Sequence, residues 1–379
     1  MTVRHLYWFT YQQPSLPSIR YRALHPLQHL WAWRGVGSTL VVPGRGPLAV
    51  LRFLRTYLEA LLFPRSGSVI VVQRVHSLGP YAWALRLLTF FRGDRSIYDI
   101  DDAEYIERHP ATIQALMRNC ALVTCGSRGL QAYARRYNPN TLLLTSPVPD
   151  HGQRKSEQRG LVRRNDVFTI GWVGCFWGTH EASLRALVYP ALRDLGFRVR
   201  LVVLGARNDQ AEHRLREALA GDPWITIEVE RDIPWCDEAA VHARIARFDA
   251  GLAPLLDNEI SRCKSAFKLK QYLSCGVPVL ASPVGENARF LRDGVNGLSC
   301  VYAAAFREGI YRLAGITDEA YDRMCREALA GTTAFNLEAH AAALLEACGR
   351  LRPFMPPVER KVRRERALPR PEQRAPQGT

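Results

Sequence analysis

The chain has 379 residues, 47% hydrophobic and 23% charged, with a formal net charge of +15. That composition supplies a buried core and excludes disorder along most of the length, and the length fits about two domains. No apolar run reaches the ~18 residues of a membrane span, and residues 1–10 lack the charged-then-apolar pattern of a leader, so neither a span nor a signal peptide is expected.

Residues 1–92 hold eleven Arg, no Lys and one acid, Glu59, whereas residues 93–351 hold 32 basic and 32 acidic side chains. This Arg-rich first quarter favours an anionic partner such as a lipid surface or phosphates, although it also serves plain solubility. No nucleic-acid partner is expected, because no basic motif interleaved with aromatics accompanies the charge. The nine Cys form no Cys-x2-Cys pair and are odd in number. They fit free thiols in a reducing cytoplasm better than a zinc or disulfide framework.

In chain order, β-branched runs predict strands at 3–9, 39–42, 69–72, 96–99, 122–125 and 142–145, with helical patterns at 48–63, 111–118 and 127–137 between them. Runs apolar on both faces and separated by helices imply a parallel sheet covered on both sides. The polar stretch 151–166 reads as a linker. The alternation then restarts, with strands at 169–173, 198–204, 225–229, 250–253 and 277–281 and helices at 180–195, 210–219, 238–247, 265–275 and 286–292. The expected fold class is α/β, with two doubly wound domains over 1–150 and 167–334. Such domains hold a ligand between the carboxyl ends of facing sheets. A helix is expected over 335–351, returning toward the first domain. Residues 352–379, with six Pro and eight basic residues, read as a disordered basic tail.

Lysine is rare: Lys155, Lys264, Lys268, Lys270 and Lys361 are the five in the chain, and three fall within 264–270. A compact ammonium serves phosphate as a point charge. Lys264, Lys268 and Gln271 are spaced to share one helix face and form a diphosphate-plus-ribose site, or simply a solvated basic face. At strand ends in the first domain, Asp101 and Asp102 face the cleft or cap a helix over 103–108. Asp99-Ile-Asp101 has the Asp-x-Asp spacing of a metal site, but its place in the first of two α/β units disfavours metal. His76 and His180 follow strands and face the cleft or pack in loops.

Cys275-Gly-Val-Pro-Val279, Ser282-Pro-Val-Gly285 and Asp293-Gly-Val-Asn-Gly297, after the lysine helix, resemble the nucleotide-sugar domain of GT-B glycosyltransferases of family 4. Ile170-Gly-Trp-Val-Gly174 and Val202-Val-Leu-Gly205 resemble its first two strands. Ser18-Ile-Arg-Tyr-Arg22 and Tyr98-Asp-Ile-Asp-Asp-Ala103 resemble first-domain segments of a bacterial branch. The resemblance implies a GT-B fold of two Rossmann-like domains facing across a cleft. It implies a hexosyl transfer from a nucleotide sugar to a hydroxyl acceptor, with retention, without a metal or other cofactor. Gly174, Lys264, Lys268, Gln271 and Gly285 would bind the donor, with His76, Asp101 and Asp102 on the acceptor side. The acceptor would be a glycan, a lipid-linked compound or a small molecule, in glycan biosynthesis. The +10 charge of residues 1–92 and the basic, apolar-faced stretch 48–63 point to a cytoplasmic enzyme peripheral at an anionic inner membrane face, unless that stretch only packs on the sheet; the lipid-linked acceptors of the resembled family point the same way. The family's two glutamates separated by seven residues are replaced by Cys263 and Gln271. A non-catalytic protein that binds a sugar nucleotide or partners an active transferase is the alternative.

Overall fold

The computed structural model describes residues 2–44, 46–107, 110–155, 167–174, 176–205 and 208–351. Linker residues 156–166 and the basic tail 352–379 lie outside the described residues.

Two six-stranded parallel sheets form the frame. The first contains β1 (His5–Phe9), β2 (Gly37–Val41), β3 (Ser68–Gln73), β4 (Ser96–Ile100), β5 (Leu122–Cys125) and β6 (Thr141–Leu143), in the order 2-1-3-4-5-6. The second contains β7 (Phe168–Val173), β8 (Val199–Leu204), β9 (Ile225–Glu230), β10 (Ala250–Ala253), β11 (Val279–Ala281) and β12 (Gly297–Ser299), in the order 12-11-10-7-8-9. Every strand of β1, β3, β4 and β7 is buried along its whole length. Helices cover both faces, which is why these strands read as unbroken apolar runs.

In the second sheet the chain order reverses between β7 and β10. The two strands pair only at Ala250↔Ile170 and Gly251↔Gly171, then diverge. The hydroxyl of buried Tyr272 accepts from Val173 N (3.1 Å) and donates to Leu252 O (3.1 Å). One phenol thus satisfies the backbone groups that the parting strands leave unpaired, and a crevice opens above it at the switch point.

Most departures from the sequence-based elements have local causes. The helix expected over 180–195 is broken into Gly178–Ser183, a π-helical turn Leu184–Val188 and Tyr189–Leu192. Pro190 supplies no N–H to the ladder there. A second π turn, Arg20–Leu24, precedes Pro26 in the same way. β12 follows directly on the turn 293–297 and was hidden by its glycines. The helix expected over 265–275 starts only at Phe267, because Ala266 is left-handed (φ 55°).

The helix Leu337–Gly349 crosses back and adds Ala341, Leu344 and Cys348 to the core under the first sheet, beside Leu6, Trp8, Leu27 and Leu30. Side chains also tie the domains together. Arg20 Nε bonds Glu238 Oε1 (2.9 Å), Ser127 Oγ donates to Cys263 O (2.7 Å), and Glu286 Oε1 accepts from Arg128 N (2.9 Å).

Candidate functional site: the inter-domain cleft

A cavity of about 260 Å³ lies between the domains. Its lining comes from loops at the carboxyl ends of both sheets, as doubly wound domains dictate. The first domain contributes Ser18, Tyr21, Arg74, Asp101, Asp102 and Ser146; the second contributes Trp172, His180, Pro254, Lys264, Lys268 and Asn287, among others.

The second-domain wall is cationic and carries no carboxylate among its lining residues. The helix Phe267–Ser274 begins here, and no side chain caps its first turn. Its opening residues Ala266, Phe267, Lys268 and Leu269 line the cavity, so the first-turn dipole faces it. Lys268 Nζ sits 4.8 Å from the centre of the Trp172 ring and 3.3 Å from His180 Nε2. The Lys268 charge, then burial and Lys264, push the His180 pKa down to about 2. The imidazole is therefore neutral. With Nε2 accepting from Lys268, its proton resides on Nδ1, a buried atom with no hydrogen-bond partner in the protein. Gly174 follows β7 at φ +116°, and a Cβ there would lie 2.9 Å from Lys268 Cε. Glycine at this position lets the lysine stem lie flat against the backbone.

The first-domain wall is built differently, because each cation there is matched to acids. Arg22, fully buried, grips Asp99 through Nε (2.9 Å) and Nη2 (2.5 Å), and Thr124 Oγ1 also donates to Asp99 (2.6 Å). Asp99 is thereby consumed beneath the cavity floor, which removes one half of the Asp-x-Asp pattern. Among the described residues no group of three or more His, Cys, Asp or Glu is placed to hold a metal ion.

Arg74, left-handed at φ 54°, reaches Glu104 through Nε (2.6 Å) and Nη2, and Ser18 Oγ through Nη1 (2.9 Å). Its Nε also lies 3.2 Å from Asp101 Oδ1. Burial opposes the guanidinium charge, yet Asp101, Glu104 and Asp102 hold its pKa above the ordinary value. Burial raises the Asp101 pKa against the pull of Arg74 and Arg22. Burial likewise raises Glu104 to about 7, opposed by Arg74 and reinforced by Asp101 and Asp102. Asp102 goes the other way: its burial is outweighed by Lys264 and Arg74, and its pKa is lowered. Lys264 Nζ spans the cleft to Asp102 at 2.8 and 3.1 Å.

Buried polar atoms are almost always paired. Among the described lining residues, Trp172 Nε1 and His180 Nδ1 have no hydrogen-bond partner in the protein, and Asp101 Oδ1 has its ion-pair contact with Arg74.

The residues singled out by sequence separate here. Asp101, Asp102, Lys264 and Lys268 line the cavity together, and Gly174 backs Lys268. Lys264 precedes the helix instead of sharing its face. Asp102 Oδ1 accepts from the adjacent Ala103 N (3.0 Å), not from an amide inside the helix Glu104–Glu107, so the expected cap is not formed by this bond. Gln271 is buried one turn deeper and is not a lining residue. Gly285 (φ +59°) serves a close approach instead: a Cβ would meet Ser261 O at 2.9 Å and Arg262 O at 3.0 Å. His76 also lies outside the lining. It is 3% exposed, its Nδ1 is 2.9 Å from Arg74 O, and its ring packs on Tyr11 at 4.2 Å, so the sharp backbone turn at Arg74 tucks it inward. Cys263, at a family glutamate position, is buried in the first-domain core, 3.4 Å from Tyr105 OH. Sequence reading missed Arg74, whose only signal was its place directly after a strand; Trp172 and Tyr21 lay inside the segments 170–174 and 18–22 but were not singled out as site residues.

Two parallel α/β domains facing across a cleft define the GT-B fold. Residues 167–315 match the family model described as glycosyl transferases group 1. Solved structures of the same fold include the Anabaena HepE protein in complex with UDP, with a TM-score of 0.63, 14% identity, and 92% of this chain and 100% of that one covered. A glycosyltransferase from Rickettsia africae has a TM-score of 0.64, 12% identity, and 92% and 98% coverage. Sucrose-phosphate synthase from Thermosynechococcus elongatus has a TM-score of 0.64, 15% identity, and 90% and 98% coverage. No curated protein matches the chain.

Proposed function

We propose that the protein transfers a hexosyl group from a nucleoside-diphosphate sugar to a hydroxyl acceptor, with retention and without a metal. The observation that carries this reading is the asymmetry of the cleft: lysines and an uncapped helix start on one wall, carboxylates on the other. The diphosphate lies against Lys268 and the amides of the helix Phe267–Ser274, with Lys264 beside it. As the glycosidic bond breaks, negative charge grows on the departing diphosphate, and these fixed cations and N–H groups stabilise it without reorganising. Neutral His180 offers its Nδ1–H to a donor oxygen. The acceptor hydroxyl lies toward Asp101 and Asp102, where the raised pKa of Asp101 makes it the better proton acceptor of the two. A lipid-linked or glycan hydroxyl is the acceptor class that fits the surface described below.

The position of Cys263 supports a second reading, a sugar-nucleotide-binding protein without turnover. A buried thiol packed against Tyr105 cannot do the work of a carboxylate beside the donor sugar. One experiment separates the two. UDP-, GDP- and ADP-sugars are screened by thermal shift and by release of nucleoside diphosphate. Stabilisation with release of diphosphate supports transfer; stabilisation by a donor with no release, alone or with hydroxyl acceptors, supports the binding protein. Absence of any shift rejects both.

A further inference from the structure

Two neighbouring helices of the first domain carry one apolar stripe more than the fold needs. The helix Pro47–Leu62 buries Tyr57 and Ala60 against the sheet, yet Leu51, Leu54, Leu58 and Leu62 form a second stripe pointing outward. The helix Pro80–Arg92 buries Ala82, Leu85 and Leu88, and its opposite side exposes Trp83, Leu87, Phe90 and Phe91. Leu51 is 63% exposed, Phe63 77% and Phe90 70%. The helices lie side by side: Phe53 packs on Tyr81 at 5.1 Å, and Arg92 Nε donates to Leu61 O at 2.8 Å. The two outer stripes therefore form one continuous face. A helix needs one apolar stripe to pack on a sheet; a second, shared with its neighbour, marks a surface that meets something apolar.

The charges on this face select the occupant. Arg52 and Arg55 are exposed between the outer leucines, and Arg86 lies over Trp83 at 4.6 Å. The one acid on the two helices, Glu59, is already held by Arg65 Nε (2.6 Å) and Tyr7 OH (2.7 Å). A second copy would offer the same arginines and no acid to answer them. We infer that this face lies on a lipid bilayer carrying anionic headgroups, with leucine, phenylalanine and tryptophan side chains at the acyl boundary and the arginines at headgroup level.

The parallel strands fix which end of this face is near the cleft. Each helix runs back from the carboxyl end of one strand to the start of the next, so Pro47 and Pro80 lie at the cavity end of the sheet. A bilayer on this face therefore borders the cleft on its first-domain side, the side proposed for the acceptor. The surface inference does not depend on that reading, and its test needs no substrate.

The test is co-sedimentation of the full chain with phosphatidylcholine vesicles and with mixed phosphatidylcholine–phosphatidylglycerol vesicles, at low and high salt. The basic residues 352–379 also attract anionic vesicles, so the variants carry the result. Binding to the mixed vesicles is expected to weaken as salt shortens the Debye length. Arg52→Glu/Arg55→Glu and, separately, Leu58→Glu/Phe90→Glu should each lower the bound-to-free ratio by about tenfold or more, with unchanged circular dichroism. All four positions are exposed, and the pairs remove charge and apolarity independently. Negligible binding to both vesicle types at low salt overturns the inference, as does binding that neither variant weakens. Self-association without lipid that Leu58→Glu/Phe90→Glu abolishes also overturns it, by assigning the face to a second copy.

Discussion

The two walls of the cleft use the same kinds of charge in opposite ways. On the first-domain wall each guanidinium is spent on a carboxylate of the chain itself: Arg22 on Asp99, and Arg74 on Asp101, Asp102 and Glu104. On the second-domain wall Lys268 rests on a ring and a neutral imidazole, with no acid among the lining residues. A buried pair that is already matched is a scaffold that holds geometry, whereas ammonium groups on a wall lined without carboxylates set up a field that suits an anion. Lys264 stands between the two, a second-domain cation lent to Asp102 across the gap.

The contrast is most easily broken at Asp101. If the first wall does proton work, Asp101→Asn should lower kcat by about 10²–10⁴-fold with donor affinity little changed, read from steady-state rates and calorimetry. Glu104→Gln is the control, since it shares Arg74 without lining the cavity; an equal loss there would make the whole group scaffold. On the opposite wall, Lys268→Ala should weaken UDP or GDP binding by ~1.5–3 kcal/mol, the range for a hydrogen bond to a charged group. Unchanged calorimetric affinity would show that this wall does not hold the diphosphate.

A pH series sharpens the scaffold side. Glu104 titrates at about 7 in the folded chain against an ordinary 4.5. Between those values the native state holds more protons than the unfolded one, so this group's contribution lowers stability as pH rises from 4.5 to 7. Denaturant unfolding should show a loss of about 3 kcal/mol across that window, at ~1.4 kcal/mol per pH unit, and Glu104→Gln should remove it. The smallest effect concerns the loan across the gap. Asp102→Asn should free Lys264 and tighten nucleoside-diphosphate binding by up to about fivefold, within the ~1 kcal/mol of a partly exposed pair. Weaker binding in that variant would mean that Asp102 aims Lys264 at the ligand instead of holding it back.

Architecture was legible in the sequence wherever strands are buried on both faces. Val69–Val72 and Val199–Leu204 admit no other period, and the polar stretch from Asp150 marks where one sheet ends. The pairings on the matched wall were not legible: the segments Ser18–Arg22 and Tyr98–Ala103 stood out, but Arg22 finds Asp99 across 77 positions and spacing does not show that contact. Lysine scarcity was a true signal with two meanings. Lys264 and Lys268 reach the cavity, whereas Lys155 and Lys270 are fully buried, on Asp249 and on Thr145 with Ser146. A slim ammonium suits a phosphate and a tight internal slot equally, and spacing alone does not separate the two uses. Helix faces were misjudged where one backbone angle decides: left-handed Ala266 delays the helix and takes Lys264 off it.

The chain passes between the domains twice, once after β6 and once before Leu337, and both passages meet at one point. Val148 N bonds Phe335 O (3.0 Å), His340 Nδ1 lies 3.0 Å from Thr145 O, and Lys270 Nζ donates to Thr145 Oγ1 (2.7 Å). Two strands of chain stitched side by side make an axle. They resist sliding of one domain over the other but leave rotation about their common line. Any opening of the cleft must then break the ties Arg20–Glu238, Ser127–Cys263 and Arg128–Glu286 along with the Lys264–Asp102 latch.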